Sequence, residues 1–416
     1  MSQHARMLVA LLVGAALGIL SRYVLPPHVL AALVDYVAQP IGQIFLRLLF
    51  VLVVPLLFSA LVVGIADLDL KHLGKLGKRT LLYTLSVSLI SVVIGMVLVN
   101  LVGPGRGMGS ALAQLKGTAP VAPASSSLTD LSPTAVIVNM VPKNALEAAA
   151  TGDMLAFMVF ALMFGIALAV TRTENTQVLR SAIAGIYDVC MTWIEAVLRI
   201  VAPFGVAALL FSMTSRIGAS VLAHVAAYVA VVVGGLALHN FGVYALSVRF
   251  LGGLSPITFF RSVRVAMLTA FSTASSSATL PTAIHVAETE LKLPSHVARF
   301  VLTAGSAMNQ NGTALFEGVT VLFLAQVAGL ELPLGKQLIV MLISVLAGVG
   351  TAGVPAGSIP VIAMILGLLG VPPEGLGLIM GVDRFLDMCR TTVNVTGDLA
   401  AAVYVAKGEN AQKMEA

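Results

Sequence analysis

The sequence predicts an all-α integral membrane protein that crosses the lipid bilayer several times. Of its 416 residues, 58% are hydrophobic and only 10% are charged, a composition typical of polytopic membrane proteins. Apolar runs of about 20 residues, the length that spans a bilayer as a helix, recur from end to end. Hydrocarbon offers no water to backbone groups, and the runs are continuous rather than alternating. We therefore expect spanning helices and no soluble domain.

Charge and cysteine content narrow the class of protein further. The net charge of +5 is spread over the connections between apolar segments, where basic residues mark cytoplasmic loops, so no nucleic-acid partner is expected. Residues 67–79 carry five basic side chains and are predicted to lie inside. We expect a multi-pass protein of the cell's inner (plasma) membrane with cytoplasmic N- and C-termini. Cys190 and Cys389 lie in apolar segments, so neither a disulfide nor a metal site is expected from them.

Apolar segments fill the chain up to Arg249. They cover residues 7–25, 41–66, 81–102, 134–170, 183–211 and 221–249. The first has the length of a signal peptide, but no A-x-A-like cleavage pattern follows, so we expect it to remain as a helix. The fourth is interrupted near Pro142 and Gly152, which predicts a broken helix. Residues 103–133 are rich in Gly, Pro, Ala and Ser, typical of a flexible external loop, and residues 172–180 are polar and expected inside.

Two later apolar stretches are interrupted by small polar residues and predict re-entrant hairpins. Residues 256–288 contain STASSSATLP, and residues 332–371 contain GVGTAGVPAGSIP. The two stretches recur at a spacing of about 75 residues, and each precedes a helix with a polar centre. Corresponding broken segments in two halves are typical of inverted repeats in transporters, and they lie at the binding site.

The last apolar segment, residues 375–405, carries a polar row. Asp383, Asp387, Arg390, Asn394 and Asp398 recur at steps of four, three, four and four, so they share one helical face. One ionised side chain at mid-bilayer costs roughly 2.5–3.5 kcal/mol on insertion scales. The row is therefore expected to face protein, water or a charged ligand. The alternative is the solvated face of a cytosolic or interfacial helix.

The chemistry of this row suits an acidic amino acid. An arginine such as Arg390 binds a carboxylate through two parallel hydrogen bonds, and the Asp387 carboxylate can accept an ammonium group. The alternative is a structural Asp387–Arg390 pair, although buried ion pairs rarely add stability. Asp398 is the best candidate for a carboxylate that binds a cation.

Three further polar sites precede the row. Hydroxyls at Ser275–Ser277, next to helix N-termini, suit a carboxylate, unless these serines only satisfy their own backbone. The segment NQNGT at 309–313 favours local unwinding, with carbonyl oxygens for a cation such as Na⁺, or else polar contacts between helices. Glu317 is a candidate proton carrier if burial favours its neutral form, or else an exposed interfacial acid.

Four motifs occur along the chain in the order STASSSATLP, NQNGTALFEG, GTAGVPAGS and VDRFLDMCRTTVNVTGD. In these motifs and in their order, the chain resembles a prokaryotic member of the glutamate transporter family, the dicarboxylate/amino acid:cation symporters. VPKNALEAAATGD in the broken fourth segment extends the resemblance to essentially the whole chain. The resemblance implies eight transmembrane helices, two re-entrant hairpins and a homotrimer. It also implies an elevator mechanism, in which a transport domain slides against a static scaffold.

The resemblance also assigns the segments to these two domains. Scaffold helices one and two would occupy residues 1–66, and the external loop with scaffold helices four and five would occupy residues 103–215. Transport-domain helix three would lie in residues 67–102, and the rest of that domain in residues 216–416. Within it follow helix six, hairpin one (256–290), helix seven (294–329), hairpin two (332–371) and helix eight (374–406).

By resemblance, Arg390 would bind the substrate side-chain carboxylate with help from Thr313. Asp387 would bind the α-amino group and Asn394 the α-carboxylate. The remaining substrate contacts would come from Thr391, Ser276 and Ser277, with Val354 to Gly357 forming a lid. One sodium site would use Gly305, Asn309, Asn394 and Asp398, and a second, doubtful in this chain, would use Gly348, Val349 and Thr351.

The sequence departs from sodium-coupled members at the ion sites. Those members have Asn-Met-Asp where this chain has Asn309, Gln310 and Asn311. Gln310 replaces a sulfur ligand and Asn311 replaces a carboxylate. Without that carboxylate a buried Na⁺ loses several kcal/mol of compensation, and nearby Val87, between Thr84 and Ser88 in our alignment, offers no oxygen, so we expect the third sodium site to be lost. Glu317 matches the proton-carrying glutamate of animal members.

Two positions lack an arginine that other members carry. Ala274 and Met388 stand where some members place an extra arginine.

We expect a symporter that imports aspartate or glutamate with H⁺, with fewer Na⁺ ions, or with both, and no other cofactor. Alternatives are a C4-dicarboxylate or other amino-acid symporter, an uncoupled anion channel, and a membrane-embedded enzyme. The enzyme is disfavoured because none of the seven histidines lies in a hairpin tip or a polar helix core.

Overall fold

The computed structural model describes most of the chain. The described residues are 3–66, 74–108, 138, 141–151, 154–171, 173–350, 358–371 and 375–415. Every regular element within these ranges is helical, and they contain no β-strand. The all-α prediction is therefore confirmed for the described part of the chain.

The first half of the chain forms nine helices in the described ranges, several of which carry a proline in the first turn. Pro27 opens α2, and Pro203 lies in the first turn of α9, where a missing N–H costs nothing. The helices are α1 (Gln3–Val24), α2 (Pro27–Leu33), α3 (Gln39–Phe50), α4 (Val53–Ala66), α5 (Gly74–Val102), α6 (Ala145–Thr151), α7 (Met154–Val170), α8 (Glu174–Ala196) and α9 (Ala202–Ile217). π-Helical turns at Val34–Ala38 and Val197–Val201 join α2 to α3 and α8 to α9.

The described part of the second half contains the polar helices, the first predicted hairpin and the two helices on either side of the second predicted hairpin tip. Its helices are α10 (Ser220–Leu238), α11 (Tyr244–Leu246), α12 (Pro256–Thr273), α13 (Ser276–Thr289), α14 (Ser295–Met308), α15 (Asn311–Val327), α16 (Leu334–Gly350), α17 (Ser358–Leu369) and α18 (Leu376–Glu415). π-Helical turns flank α11 at His239–Val243 and Ser247–Gly252.

Several predicted boundaries are displaced, although the segments themselves are present. α5 begins at Gly74 rather than residue 81, and α8 begins at Glu174 rather than residue 183. A capping box between Thr173 and Thr176 starts α8 early, because the two side chains satisfy backbone N–H groups at the helix start. The polar stretch 172–180 is therefore helical from Glu174 onward.

By length and composition, three continuous helical stretches among the described residues can cross a membrane. They are Leu76–Val102 within α5, Glu174–Arg216 across α8 and α9, and Ser220–Gly252 across α10 and α11 with their π-helical turns. Other apolar helices are shorter, since breaks such as the one at Val51 and Leu52 divide a predicted span into two helices. The count of eight spanning helices stays a prediction.

Two pairs of helices pack closely along each other. α1 packs along α9, and α5 packs along α15. A Cβ atom on Gly14 would lie 2.3 Å from the Ala207 carbonyl oxygen, so glycine is what permits this backbone approach. α18 is buried along most of its length and contacts α12, α14 and α15, which makes it the central helix.

Two of the three predicted interruptions before α18 lie in the described residues, whereas the break within 348–360 falls largely on residues 351–357, outside them. Ala274 adopts a left-handed conformation, with φ of 49°, and ends α12. Ser275 then caps α13 by accepting a hydrogen bond from the Ala278 amide at 3.2 Å, so hairpin one turns at these two residues. The predicted unwinding lies at Asn309 and Gln310, which have non-helical dihedrals and separate α14 from α15.

Candidate functional site

The polar row of α18 faces protein. Asp383, Asp387, Arg390, Asn394 and Asp398 are each no more than 5% exposed. The surrounding residues come from α12, α14 and α15. The alternative of a solvated charged face is therefore wrong, and the row lies where buried charges are expected to serve a function.

The guanidinium of Arg390 is held on several sides. Its Nε donates to Asp387 Oδ1 at 2.9 Å, and its Nη1 donates to Asp383 Oδ1 at 3.2 Å. Its Cζ lies 4.1 Å from the centroid of the Phe316 ring, a cation–π contact. The Asp387–Arg390 ion pair considered above as a purely structural feature is thus present. It is part of a larger set of contacts that fixes the orientation of the guanidinium.

Asn394 joins α18 to the start of α15. Its Nδ2 donates to Gln310 Oε1 and, at 3.1 Å, to Thr313 Oγ1, and its Oδ1 accepts from the Gly312 amide at 2.7 Å. A Cβ atom on Gly312 would lie 2.5 Å from the Arg390 carbonyl oxygen. Thr313, predicted to assist Arg390, therefore lies beside Asn394, and the two backbones touch at this point.

Three of the four residues predicted for the first sodium site come together. Asn309 Nδ2 donates to Asp398 Oδ1 at 2.9 Å. A Cβ atom on Gly305 would lie 2.5 Å from the same Oδ1, so the Gly305 backbone lies against the carboxylate. Asn394, the fourth residue, precedes Asp398 by one helical turn.

The chemistry of this group fits an alkali cation. The Asp398 carboxylate offers the oxygen ligands that hard cations prefer, while Asn309 turns its amide nitrogen rather than its oxygen toward this carboxylate. In the ranges that the structure describes, no group of three or more His, Cys, Asp or Glu side chains suits a metal ion. A sodium site at Asp398 stays a prediction.

Asn311 is locked by neutral partners. Its Nδ2 donates to the Tyr244 hydroxyl at 2.9 Å and to Asn309 Oδ1 at 2.8 Å. Its Oδ1 accepts from Ser88, and its carbonyl oxygen accepts from Ser91 Oγ at 2.6 Å. The alignment that places Ser88 opposite Asn311 agrees with this contact; Thr84 and Val87 are buried on the same helix.

Glu317 is fully buried in α15. Neither carboxylate oxygen has a hydrogen bond of acceptable geometry from the described residues, although Arg390 and Ser358 are close enough to interact with it. The alternative of an exposed interfacial glutamate is therefore wrong. A neutral carboxyl group is far less costly to bury in this way than a carboxylate.

The first hairpin tip lies against α18. Ser276 is buried, and its Oγ has no hydrogen-bond partner among the described residues. Ser277, by contrast, is exposed. Arg384 of α18 reaches the Thr273 carbonyl oxygen at 3.5 Å, which ties the hairpin to the helix that carries the polar row.

Of the other predicted site residues, one is buried in α18, and the rest lie at the end of a described range or outside it. Thr391 is buried beside Arg390. Gly348 and Val349 lie in the last turn of α16, where the burial of the residues is not described. Thr351, Val354 and Gly357 lie outside the described residues, so the lid and the second sodium site stay predictions.

Sequence reasoning missed three neighbours of the site. Phe316 lies one turn after Thr313, but an apolar ring in an apolar helix gives no signal of its own. Gln310 stood out only as a missing sulfur ligand, whereas it bonds to Asn394. Tyr244 is distant in sequence and follows a π-helical turn, which changes the residues that share a helical face.

Comparison with known proteins identifies the family. The sequence model of the sodium:dicarboxylate symporter family matches residues 4–408. The chain belongs to this family.

Relatives in the sodium:dicarboxylate symporter family match most of this chain. The proton/sodium-glutamate symport protein of Bacillus caldotenax is 34% identical over 372 residues, covering 89% of this chain and 87% of that protein. The proton/glutamate-aspartate symporter of Escherichia coli is 32% identical, covering 91% and 86%. The C4-dicarboxylate transport protein of Rhodospirillum rubrum is 31% identical, covering 89% and 82%. The family and these relatives are transporters, so the protein is a transporter and not an enzyme.

Proposed function

We propose that this protein is a secondary active symporter that imports an acidic amino acid, aspartate or glutamate. A cation that moves down its own gradient drives the import. Two of the relatives above are named as symporters of glutamate or of glutamate and aspartate, which supports the substrate class. The buried polar row around Arg390 is the observation that carries the proposal.

Each part of the substrate has a matching group. The side-chain carboxylate would bind the Arg390 guanidinium, whose orientation Asp383 and Phe316 already fix. The ammonium group would bind Asp387, and the α-carboxylate would bind Asn394 next to Thr313. A charge-assisted, preoriented hydrogen bond is roughly twice as strong as a neutral one, so a substrate that satisfies all three is favoured.

The coupling ions are proposed to be H⁺, a reduced number of Na⁺ ions, or both. Asp398 with Gly305 and Asn309 supports one sodium site. At the position of the third site, the neutral Asn311 amide is already bonded to Ser88, Asn309 and Tyr244, so it brings no negative charge to a cation. Glu317 would carry the proton, because protonation lowers the cost of its burial.

Transport is proposed to follow an elevator mechanism in a homotrimer. The packing supports the division into two domains, since α5 lies against α10, α14, α15, α16 and α18. Helix three thereby groups with the second half of the chain although it precedes residues 103–215. The scaffold would comprise residues 1–66 and 103–215.

A C4-dicarboxylate is the second candidate substrate, because a relative named for C4-dicarboxylate transport is 31% identical. Asp387 argues against it, since a dicarboxylate offers no ammonium group to this carboxylate. An uncoupled anion channel is a further alternative, and it differs from a symporter in being unable to concentrate its substrate.

Uptake into proteoliposomes tests the proposal. Radiolabelled aspartate, glutamate and succinate are offered with an inward gradient of Na⁺, of H⁺, or of both. We expect concentrative uptake of aspartate or glutamate that responds to the proton gradient. Uptake that requires three Na⁺ ions and ignores the proton gradient would refute the coupling scheme, and failure to concentrate any of the three would refute symport.

A further inference from the structure

Arg384 lies one helical turn before Asp387, on the side of α18 that faces hairpin one. Its Nη1 lies 3.4 Å from Asp387 Oδ2, and its Nη2 lies 3.5 Å from the Thr273 carbonyl oxygen. Its side chain is 25% exposed, compared with 2% for Arg390. Arg384 therefore connects the acidic residue of the proposed site to the tip of the first hairpin.

Asp387 lies between two guanidinium groups, one at each carboxylate oxygen. Arg390 Nε contacts Oδ1 at 2.9 Å, and Arg384 Nη1 contacts Oδ2 at 3.4 Å. The longer contact belongs to the more exposed arginine, so water screens it more strongly. Arg384 thus compensates part of the negative charge of Asp387 without forming the tightest pair.

The position of Arg384 is fixed at its second contact. Thr273 is the last residue of α12, and Ala274 reverses the chain there with φ of 49°. A cation at a helix C-terminus is stabilised by the partial negative charge of the last carbonyl groups. The contacts with the Thr273 carbonyl oxygen and with Asp387 therefore stabilise the guanidinium in its position between the hairpin and Asp387.

We infer that Arg384 sets how strongly Asp387 attracts an ammonium group, and so how far the site discriminates amino acids from dicarboxylates that lack an amine. Arg384 is a positioning residue that acts through Asp387. This inference rests on the proposed function and names a determinant of substrate choice at the same site.

The direction of the effect follows from charge. Asp383 and Asp387 balance Arg384 and Arg390, so the four side chains together are neutral. Removal of Arg384 leaves one net negative charge beside the substrate. Succinate, with two negative charges and no ammonium, is then penalised more than aspartate, which carries one net negative charge and places its ammonium near Asp387.

The test compares the binding of aspartate and succinate to purified, detergent-solubilised protein by calorimetric titration at fixed Na⁺ concentration and pH. For Arg384→Gln we expect the ratio of the succinate to the aspartate dissociation constant to rise about fivefold, as for a partly exposed ion pair. Arg384→Lys retains the charge and is expected to keep most of the wild-type ratio. Arg299→Gln is the matched control, because Arg299 pairs with Glu288 away from the row, and the ratio should not change.

A double-mutant cycle separates this role from a structural one. In an Asp387→Asn background, Arg384→Gln should change the ratio much less, because the carboxylate through which it acts is gone and only its direct field on the substrate remains. The same shift in that background would overturn the inference, as would an unchanged ratio in folded Arg384→Gln.

Folding and substrate binding are checked separately. Arg384→Met is measured in parallel with Arg384→Gln; if both fail to give a monodisperse protein, Arg384 is structural and the inference is overturned. Wild-type protein that binds neither ligand would overturn the proposed function and this inference with it. Wild-type binding with an unaltered ratio in the variants would overturn the inference alone.

Discussion

Gly305→Ala tests whether Asp398 binds the coupling cation. A Cβ atom at position 305 would lie 2.5 Å from Asp398 Oδ1 and 2.9 Å from Cγ, whereas ordinary contacts begin at 3.4 Å. The carboxylate must therefore move by about 1 Å, because α14 and α18 are packed too closely to separate freely. The displaced Oδ1 is the atom that accepts from Asn309 at 2.9 Å.

The magnitude follows from the hydrogen bond that is lost. A hydrogen bond to a charged group contributes about 1.5–3 kcal/mol, and each 1.4 kcal/mol is about tenfold in affinity. We expect Gly305→Ala to raise the Na⁺ concentration for half-maximal substrate binding by roughly ten- to a hundredfold. The bound substrate itself should be affected less, since Arg390 lies two turns away on α18.

The assay measures aspartate binding to purified protein by calorimetry at a series of Na⁺ concentrations. Gly185→Ala is the control, because a Cβ atom at Gly185 of α8 meets nothing within 4 Å. A folded Gly305→Ala variant with the wild-type Na⁺ dependence would refute the assignment of Asp398.

Two further predictions concern the ions. Glu317→Gln removes a titratable group that is fully buried, so uptake should lose its response to a proton gradient while exchange of internal for external substrate persists; a retained response in proteoliposomes would exclude Glu317 as the carrier. Asn311→Asp places a carboxylate beside Asn309, Tyr244 and Ser88, so the dependence of aspartate binding on Na⁺ concentration should become steeper; an unchanged slope would contradict our account of the third site.

The polar row of α18 could be predicted because polar residues at helical spacing stand out in an apolar segment. The same contrast located the hairpin turn at Ser275 and the helix break at Asn309. Each signal is local, since it depends on residues that interrupt a hydrophobic pattern within a few turns. Local signals were sufficient for the all-α class and for most elements.

The contacts between distant segments could not be predicted in this way. Phe316 lies against Arg390 because α15 and α18 meet at Gly312, and nothing in an apolar helix marks which ring faces a guanidinium. Tyr244 reaches Asn311 after a π-helical turn that a regular period does not anticipate. Helix ends were also displaced, as at Glu174, where a capping box overrides the start of the apolar run.

The central claim is that the buried guanidinium of Arg390 binds the side-chain carboxylate of an acidic amino acid. Arg390→Lys tests it with the least disturbance, since the positive charge beside Asp383 and Asp387 is retained while the two-pronged geometry is lost. Calorimetric titration with aspartate is compared with Arg216→Gln, which removes a guanidinium paired with Asp35 outside the polar row. We predict that Arg390→Lys weakens aspartate binding at least about tenfold while the control binds as the wild type does. Wild-type affinity in a folded Arg390→Lys variant would contradict the account.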